Sequence, residues 1–206
     1  SGEPARERKH PLDELADGAR YAFANDAIRH LLLLAALGSV FGRGALEMLP
    51  VFADAVYQGG ASALAILTSA IGGGAVLAGL TLTRGTAWLT RKVIHVAVAV
   101  SGLLVTLLAI VDVFEIAIVV VALLGISLSF SGVGSQILIQ TLVDDDVRGR
   151  VSSFWTMIAF GGTSLGALLV GTAAHAWGLQ IAVFGIGVLC VAAALVARGK
   201  RKAWNY

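Results

Sequence analysis

The sequence predicts an all-α integral membrane protein in which six transmembrane helices form two inverted three-helix repeats. Three observations predict it. Hydrophobic residues make up 57% of the 206 positions and charged residues only 14%, with a mean hydropathy of +0.85, whereas soluble domains carry about 25% charged residues. The apolar residues come in six runs, near 29–53, 61–83, 92–111, 115–141, 151–173 and 178–198, each about the 20 residues a helix needs to cross a bilayer. None of the runs alternates in polarity, which separates them from the strands of about 10 residues in an outer-membrane barrel.

Residues 1–28 read as a cytoplasmic linker, 29–198 as the membrane domain and 199–206 as a cytoplasmic tail. The opening SGEPARERKHPLDEL is too polar to be the apolar stretch of a signal peptide. Within residues 11–28, Leu12, Leu15, Ala19, Ala22 and Phe23 recur at roughly helical spacing, which predicts a short amphipathic helix lying along the membrane surface. Asn25 and Asp26 are placed to cap the start of span one.

Span one carries Ser39, Arg43 and Glu47 at i, i+4 and i+8, one face of a regular helix. Arg43 lies about 21 Å along the helix from Arg29, near the bilayer midplane, where an unpaired charge costs about 2.5–3.5 kcal/mol on insertion scales. It must therefore pair with Glu47 or face a wet cavity, in which it could handle substrate or take part in proton coupling. Gly38, Gly42 and Gly44 permit close backbone approach, and Pro50 removes an internal hydrogen bond. A bend near the outer end of the span follows.

Span two contains AIGGGAVLAG from Ala70, and span five contains AFGGTSLGAL from Ala159. Each is the middle helix of a three-helix group, and the two groups cross in opposite directions, a construction common in secondary transporters. Close packing through small residues accounts for the same glycines and is compatible with the repeat. Spans three and six are almost wholly apolar, as lipid-facing helices should be. Span four carries Ser127, Ser131 and Ser135 along one stripe and Ser129, Gln136 and Gln140 along an adjacent one, which predicts a hydrated pathway.

Cys190 stands alone in span six and allows no intrachain disulfide. His10, His30, His95 and His175 are far apart in the chain, and no pair has a metal-ligand spacing. No metal and no cofactor is expected, and no motif that binds nucleotide is present.

Fifteen Lys and Arg residues set the orientation. All but Arg43 fall before span one, between spans two and three, between four and five, or after six, and the loops near 54–60, 112–114 and 174–177 carry none. The positive-inside rule then places both termini in the cytoplasm. The net charge is only +2, and the basic residues are scattered over loops and ends, so no nucleic-acid partner is expected. The run DDDVRGR, 144–150, reads as a short cytoplasmic loop. Its Asp144, Asp145 and Asp146 stand ahead of span five, where free backbone N–H groups favour negative charge. With Arg148, Arg150 and Arg84 they are candidates for cytoplasmic gate contacts.

The run VRGRVSSFWTMIAFGGTSLGALLVG, Val147 to Gly171, resembles the Arg-Gly-Arg loop and Gly-rich eleventh helix of major facilitator superfamily exporters, in the branch of enterobactin exporters and macrolide efflux pumps. The stretch LDELADGARYAFANDAIRHLLLLAAL, Leu12 to Leu37, is similar to that branch's central linker entering its seventh helix. The resemblance implies that spans one to six correspond to helices seven to twelve. Seven and ten would then line the central cavity, and nine and twelve would face lipid. GLTLTRGTAWLTRK would be the copy of the family's acid-and-arginine loop, keeping Gly79, Arg84, Gly85, Arg91 and Lys92 but with Thr83 where the Asp is expected. The loop from Asp144 to Arg150 is therefore the better gate candidate.

The implied activity is that of the C-terminal half of a proton-coupled exporter in the bacterial inner membrane. It would move a small amphiphilic compound, of drug or siderophore type, by alternating access, with the bilayer and a six-helix N-terminal half as partners. The alternative is a non-transporting membrane scaffold or sensor. A rhomboid-type protease is disfavoured because span six has no histidine to pair with a serine of span four, and no enzymatic activity is expected.

Overall fold

The computed structural model describes residues 20–199. Among them the only regular elements are helices, and six are long and apolar enough to cross a membrane: α1 (Asp26–Val56), α2 (Gly60–Thr83), α3 (Arg91–Ile110), α4 (Phe114–Leu142), α5 (Asp145–Trp177) and α6 (Leu179–Arg198). Of the expected surface helix, Leu12, Leu15 and Ala19 lie outside the described residues. Residues 20–24 are helical, with Ala22 buried and Phe23 exposed, and the chain bends at Asn25. The Asn25 side chain caps α1 by accepting from the N–H groups of Ala27 and Ile28.

The first helix of each three-helix group packs on the middle helix of the other: α1 lies along α5, and α4 along α2. The two third helices, α3 and α6, pack on each other. This reciprocal pairing is what two inverted repeats require. Both crossings are closed by glycine. A side chain on Gly166 of α5 would strike the Val40 carbonyl, and one on Gly44 of α1 would come within 2.6 Å of the Gly166 Cα. In the other crossing a side chain on Gly74 of α2 would strike the Ala122 carbonyl of α4. Aligning Ala70 with Ala159 pairs Gly74 with Thr163, about one helical turn short of Gly166.

Apolar side chains fill two clusters. One, at the end bearing Arg29, Arg84, Arg91, Arg148 and Arg198, contains Ile28, Leu31, Leu34, Ile94, Val98, Ile139 and Val151. The other, toward Asp54, Asp112 and Glu115, contains Leu49, Phe52, Leu67, Leu108, Leu124 and Val170. Between them lies a layer of buried serines, Ser39, Ser101, Ser127 and Ser131. The α3 helix is apolar for two reasons: most of it is buried against its neighbours, and Val96, Val100, Leu103, Leu107 and Ile110 form an exposed stripe at helical spacing. The middle helices are the uncovered ones. Of the most apolar 18 residues of α5 only 11% are buried, against 56% for α3.

One expectation is corrected at α5. Residues 145–150 are not a loop: the helix starts at Asp145, with Asp145 and Asp146 in its first turn and Asp144 as the cap residue. At 33 residues it is about 50 Å long, well beyond the ~30 Å hydrocarbon core. Its charged first turns therefore continue the helix past the membrane, where hydropathy has no signal to give.

At the acidic end, Tyr57 donates from its hydroxyl to the Val111 carbonyl at 2.9 Å and packs on Phe114, while the Gln180 amide donates to Asp112 at 3.0 Å. These contacts join all three loops of that end. Burial first, and Asp112 second, push the Tyr57 phenol up from 10.0 to about 12. The neutral phenol is the donor, so the tie is kept below pH 10 and lost as pH rises toward 12. Tyrosinate absorbance at 295 nm is expected to show a component titrating near pH 12 that Tyr57→Phe removes.

Candidate functional site

The site begins with a break in α1. After a regular α-helix to Leu37, residues Gly38–Arg43 wind as a π-helix, Glu47 and Met48 form a turn, and Phe52–Val56 wind as a second π stretch. Such wide turns are rare and concentrate at functional sites. Glycine makes this one feasible: Gly38 lets Ser131 approach, Gly42 receives Leu128, and Gly44 meets α5. Pro50 accounts for the turn before it, because its ring cannot follow a regular helical turn and leaves the Leu46 carbonyl without its usual donor.

Arg43 ends the π stretch and is exposed on the face that the other five helices leave open. Its guanidinium lies over the backbone of Gly132 on α4, where a Cβ would sit 3.0 Å from Nη2. Glu47, one turn on, is also exposed. Asp26 pairs with Arg29, and Asp145 with Arg148. Arg43 and Glu47 form no ion pair among the described residues, so of the two environments open to Arg43 the structure has the open face. Ser39 leaves their face: it is 5% exposed and packs toward Gly162 of α5. The wide turn shifts the register: where a helix closes i to i+5, residue i+4 falls short of a full turn instead of passing it.

The two polar stripes of α4 have different surroundings. Ser127, Ser131 and Ser135 are buried and spend their hydroxyls on backbone: Ser127 donates to Ala97 of α3 at 2.7 Å, Ser131 to Leu128 at 3.0 Å and Ser135 to Gly132 at 2.8 Å. Ser135 also accepts from the Trp155 indole at 3.4 Å. This stripe is helix packing with its polar groups satisfied. The other stripe is open. Ser129 and Gln136 are half-buried and Gln140 is exposed. Gly132 lies between them at i−3, i+4 and i+8 spacing, so Arg43 sits over the middle of this stripe.

The gate candidates do not form one cluster. Asp145 and Arg148 pair at 2.5 Å within the first turn of α5, both exposed, an arrangement worth little in water. Asp146 and Arg84 are exposed and Arg150 half-buried, and among the described residues none of these three forms an ion pair with another gate candidate. Asp144 instead accepts a 3.0 Å hydrogen bond from the Tyr21 hydroxyl, and Phe23 packs edge-on to Phe154 at 6.0 Å between ring centroids. The segment before α1 is thereby fastened to the start of α5. Sequence reading noted Phe23 as apolar but had no signal for this contact.

The fold brings two of the histidines together. Distant in the chain, His30 of α1 and His95 of α3 stack with ring centroids 6.2 Å apart and planes 4° from parallel, because both helices begin at the basic end. His10 lies outside the described residues, and His175 is in the last turn of α5. No three His, Cys, Asp or Glu side chains among the described residues converge on a metal site. Cys190 is buried, its thiol directed at the Val98 carbonyl.

The family described as transmembrane secretion effector, within the major facilitator superfamily, matches residues 6–204. The enterobactin exporters EntS of Escherichia coli O1:K1 / APEC and of Shigella boydii serotype 18 are each 26% identical over 200 residues, which is 91% of this chain and 47% of theirs. The chain thus spans about half the length of the curated relatives it matches. No solved structure matches it.

Proposed function

This chain belongs to the transmembrane secretion effector family of major facilitator transporters, and from that premise we propose that it is the C-terminal half of a proton-coupled exporter of a small amphiphilic compound. It is a multi-pass membrane protein, and the proposed setting is the bacterial inner membrane with both termini in the cytoplasm. The carrying observation is the open face of α1 and α4. Arg43, Glu47, Ser129, Gln136 and Gln140 make no side-chain hydrogen bond or ion pair among the described residues. Every buried serine hydroxyl of α3 and α4, by contrast, has a backbone acceptor.

Polar groups in a membrane span are costly unless they pair or line a wet cavity. An open polar face on an otherwise apolar bundle is therefore half of a cavity, and the resemblance supplies its other wall: six further helices. The export direction rests on the name of the relatives. Alternating access would rock the two halves about this face, with the Tyr21–Asp144 tie and the start of α5 moving at the cytoplasmic mouth, where Asp145, Asp146, Arg148, Arg150 and Arg84 remain the gate candidates.

The test is substrate-driven proton release. Everted vesicles containing the complete transporter are acid-loaded and challenged with a panel of amphiphiles, neutral and charged. At least one is expected to discharge the proton gradient faster than in vesicles lacking the transporter. No discharge by any member of the panel would reject the coupled exporter. In the same vesicles, cysteine placed at Gly149 is expected to react with an impermeant maleimide from outside and cysteine at Gln58 only after permeabilisation; the reverse pattern would invert the topology.

A further inference from the structure

The geometry points to the chemistry of the cargo: we propose that the exported compound is an organic anion whose carboxylate or sulfonate is held by Arg43. The inference rests on the exporter reading and gives that site a ligand class. Arg43 is the single Lys or Arg within the described spans away from their basic ends. It forms no ion pair among the described residues, and Glu47, the acid nearest to it in the chain, faces the same opening without reaching it.

Its surroundings are shaped for a ligand. Gly132 gives the guanidinium a flat bed with no side chain beneath it, so its outer edge stays available, and a planar guanidinium presents two parallel N–H groups to a carboxylate or sulfonate. Gln136 and Gln140 continue the α4 stripe about 6 and 12 Å from Gly132 toward the basic end. Both are neutral donors with uncommitted amides. An anion entering from that end would pass Gln140 and Gln136 before it reached Arg43, and Asp26, the acidic side chain of α1 at that end, is paired with Arg29. Glu47 lies beyond Arg43, toward the acidic end. Beside this line Val133, the neighbour of Gly132 on α4, is an exposed apolar side chain. A charged head on Arg43 and an apolar body against Val133 define an amphiphilic anion.

The probe is 1-pyrenesulfonate, an anion at every working pH, with neutral 1-pyrenemethanol as its uncharged match. Both are titrated by fluorescence into nanodiscs of zwitterionic lipid carrying the complete transporter, with empty nanodiscs subtracted. The sulfonate is expected to bind roughly tenfold or more tightly than the alcohol. Arg43→Gln should erase that preference and Arg43→Lys should keep part of it. Equal binding of the two probes, or a preference that survives Arg43→Gln, overturns the proposal. So does an Arg43→Gln protein that fails to assemble while the native protein shows no anion preference, because Arg43 would then belong to an ion pair with the other six helices. Proton release by neutral amphiphiles alone would leave the exporter reading standing and remove the anion; silence across the whole panel would remove the exporter reading itself.

Discussion

Gly166→Leu is expected to prevent stable assembly of the six helices, whereas Gly72→Leu, on an equally Gly-rich helix, is expected to be tolerated. At Gly166 even a Cβ would strike the Val40 carbonyl and crowd Gly44, and backbone cannot move aside as a flexible side chain can. At Gly72 nothing lies within 4 Å of the same position. Overpacking a filled interior costs about 1–3 kcal/mol for ordinary enlargements, and parting two helices at their closest point also forfeits the dispersion contacts along the rest of the crossing. In the absence of such a neighbour, replacing glycine gains up to about 1 kcal/mol of helix propensity. The two variants should therefore move in opposite directions. Gly74→Leu, whose side chain would meet the Ala122 carbonyl in the α2–α4 crossing, should behave like Gly166→Leu if the two crossings are equivalent. The readout is the monodisperse fraction and melting temperature in mild detergent, and equal melting of the Gly166 and Gly72 variants would refute the crossing.

The contrast between these glycines marks what the sequence could and could not show. Hydropathy locates the six spans because the bilayer imposes the same solvent on every one of them. It does not mark the start of α5, where the helix leaves that solvent and Asp145 to Arg150 continue it with the composition of a loop. Periodicity placed Ser127, Ser131 and Ser135 on one stripe of α4 and Gln136 and Gln140 on another, and both stripes exist. It could not say which one a neighbouring helix covers, and only the second remains open. Periodicity also assumed a uniform turn through Ser39, Arg43 and Glu47. The π stretch invalidates that assumption, and its cause is tertiary: Leu128, Ser131 and Gly166 press on Gly42, Gly38 and Gly44. The His30–His95 stack and the Tyr21–Asp144 bond join elements 65 and 123 residues apart in the chain, and no local pattern encodes either.

Glu47→Gln in the complete transporter is expected to abolish substrate-driven proton release while leaving anion binding at Arg43 in place. The side chain sits at the turn that interrupts α1, exposed on the open face and outside any ion pair among the described residues. A carboxyl group so placed can take up a proton from the acidic-end opening and yield it when that opening closes. Glutamine keeps the shape and the hydrogen-bonding capacity but cannot carry the proton. If Glu47 is the coupling group, the variant should still move an amphiphile down its own gradient, at a rate that no longer depends on the pH difference. If the residue merely supports packing, Glu47→Gln should retain pH-driven efflux, as an isosteric exchange at an exposed position costs little stability. Pairing the measurement with Arg43→Gln separates the two charges: one variant should lose the response to pH, the other the preference for an anion. Unchanged proton release in Glu47→Gln would move the coupling role to the other six helices and leave this half with the binding function alone.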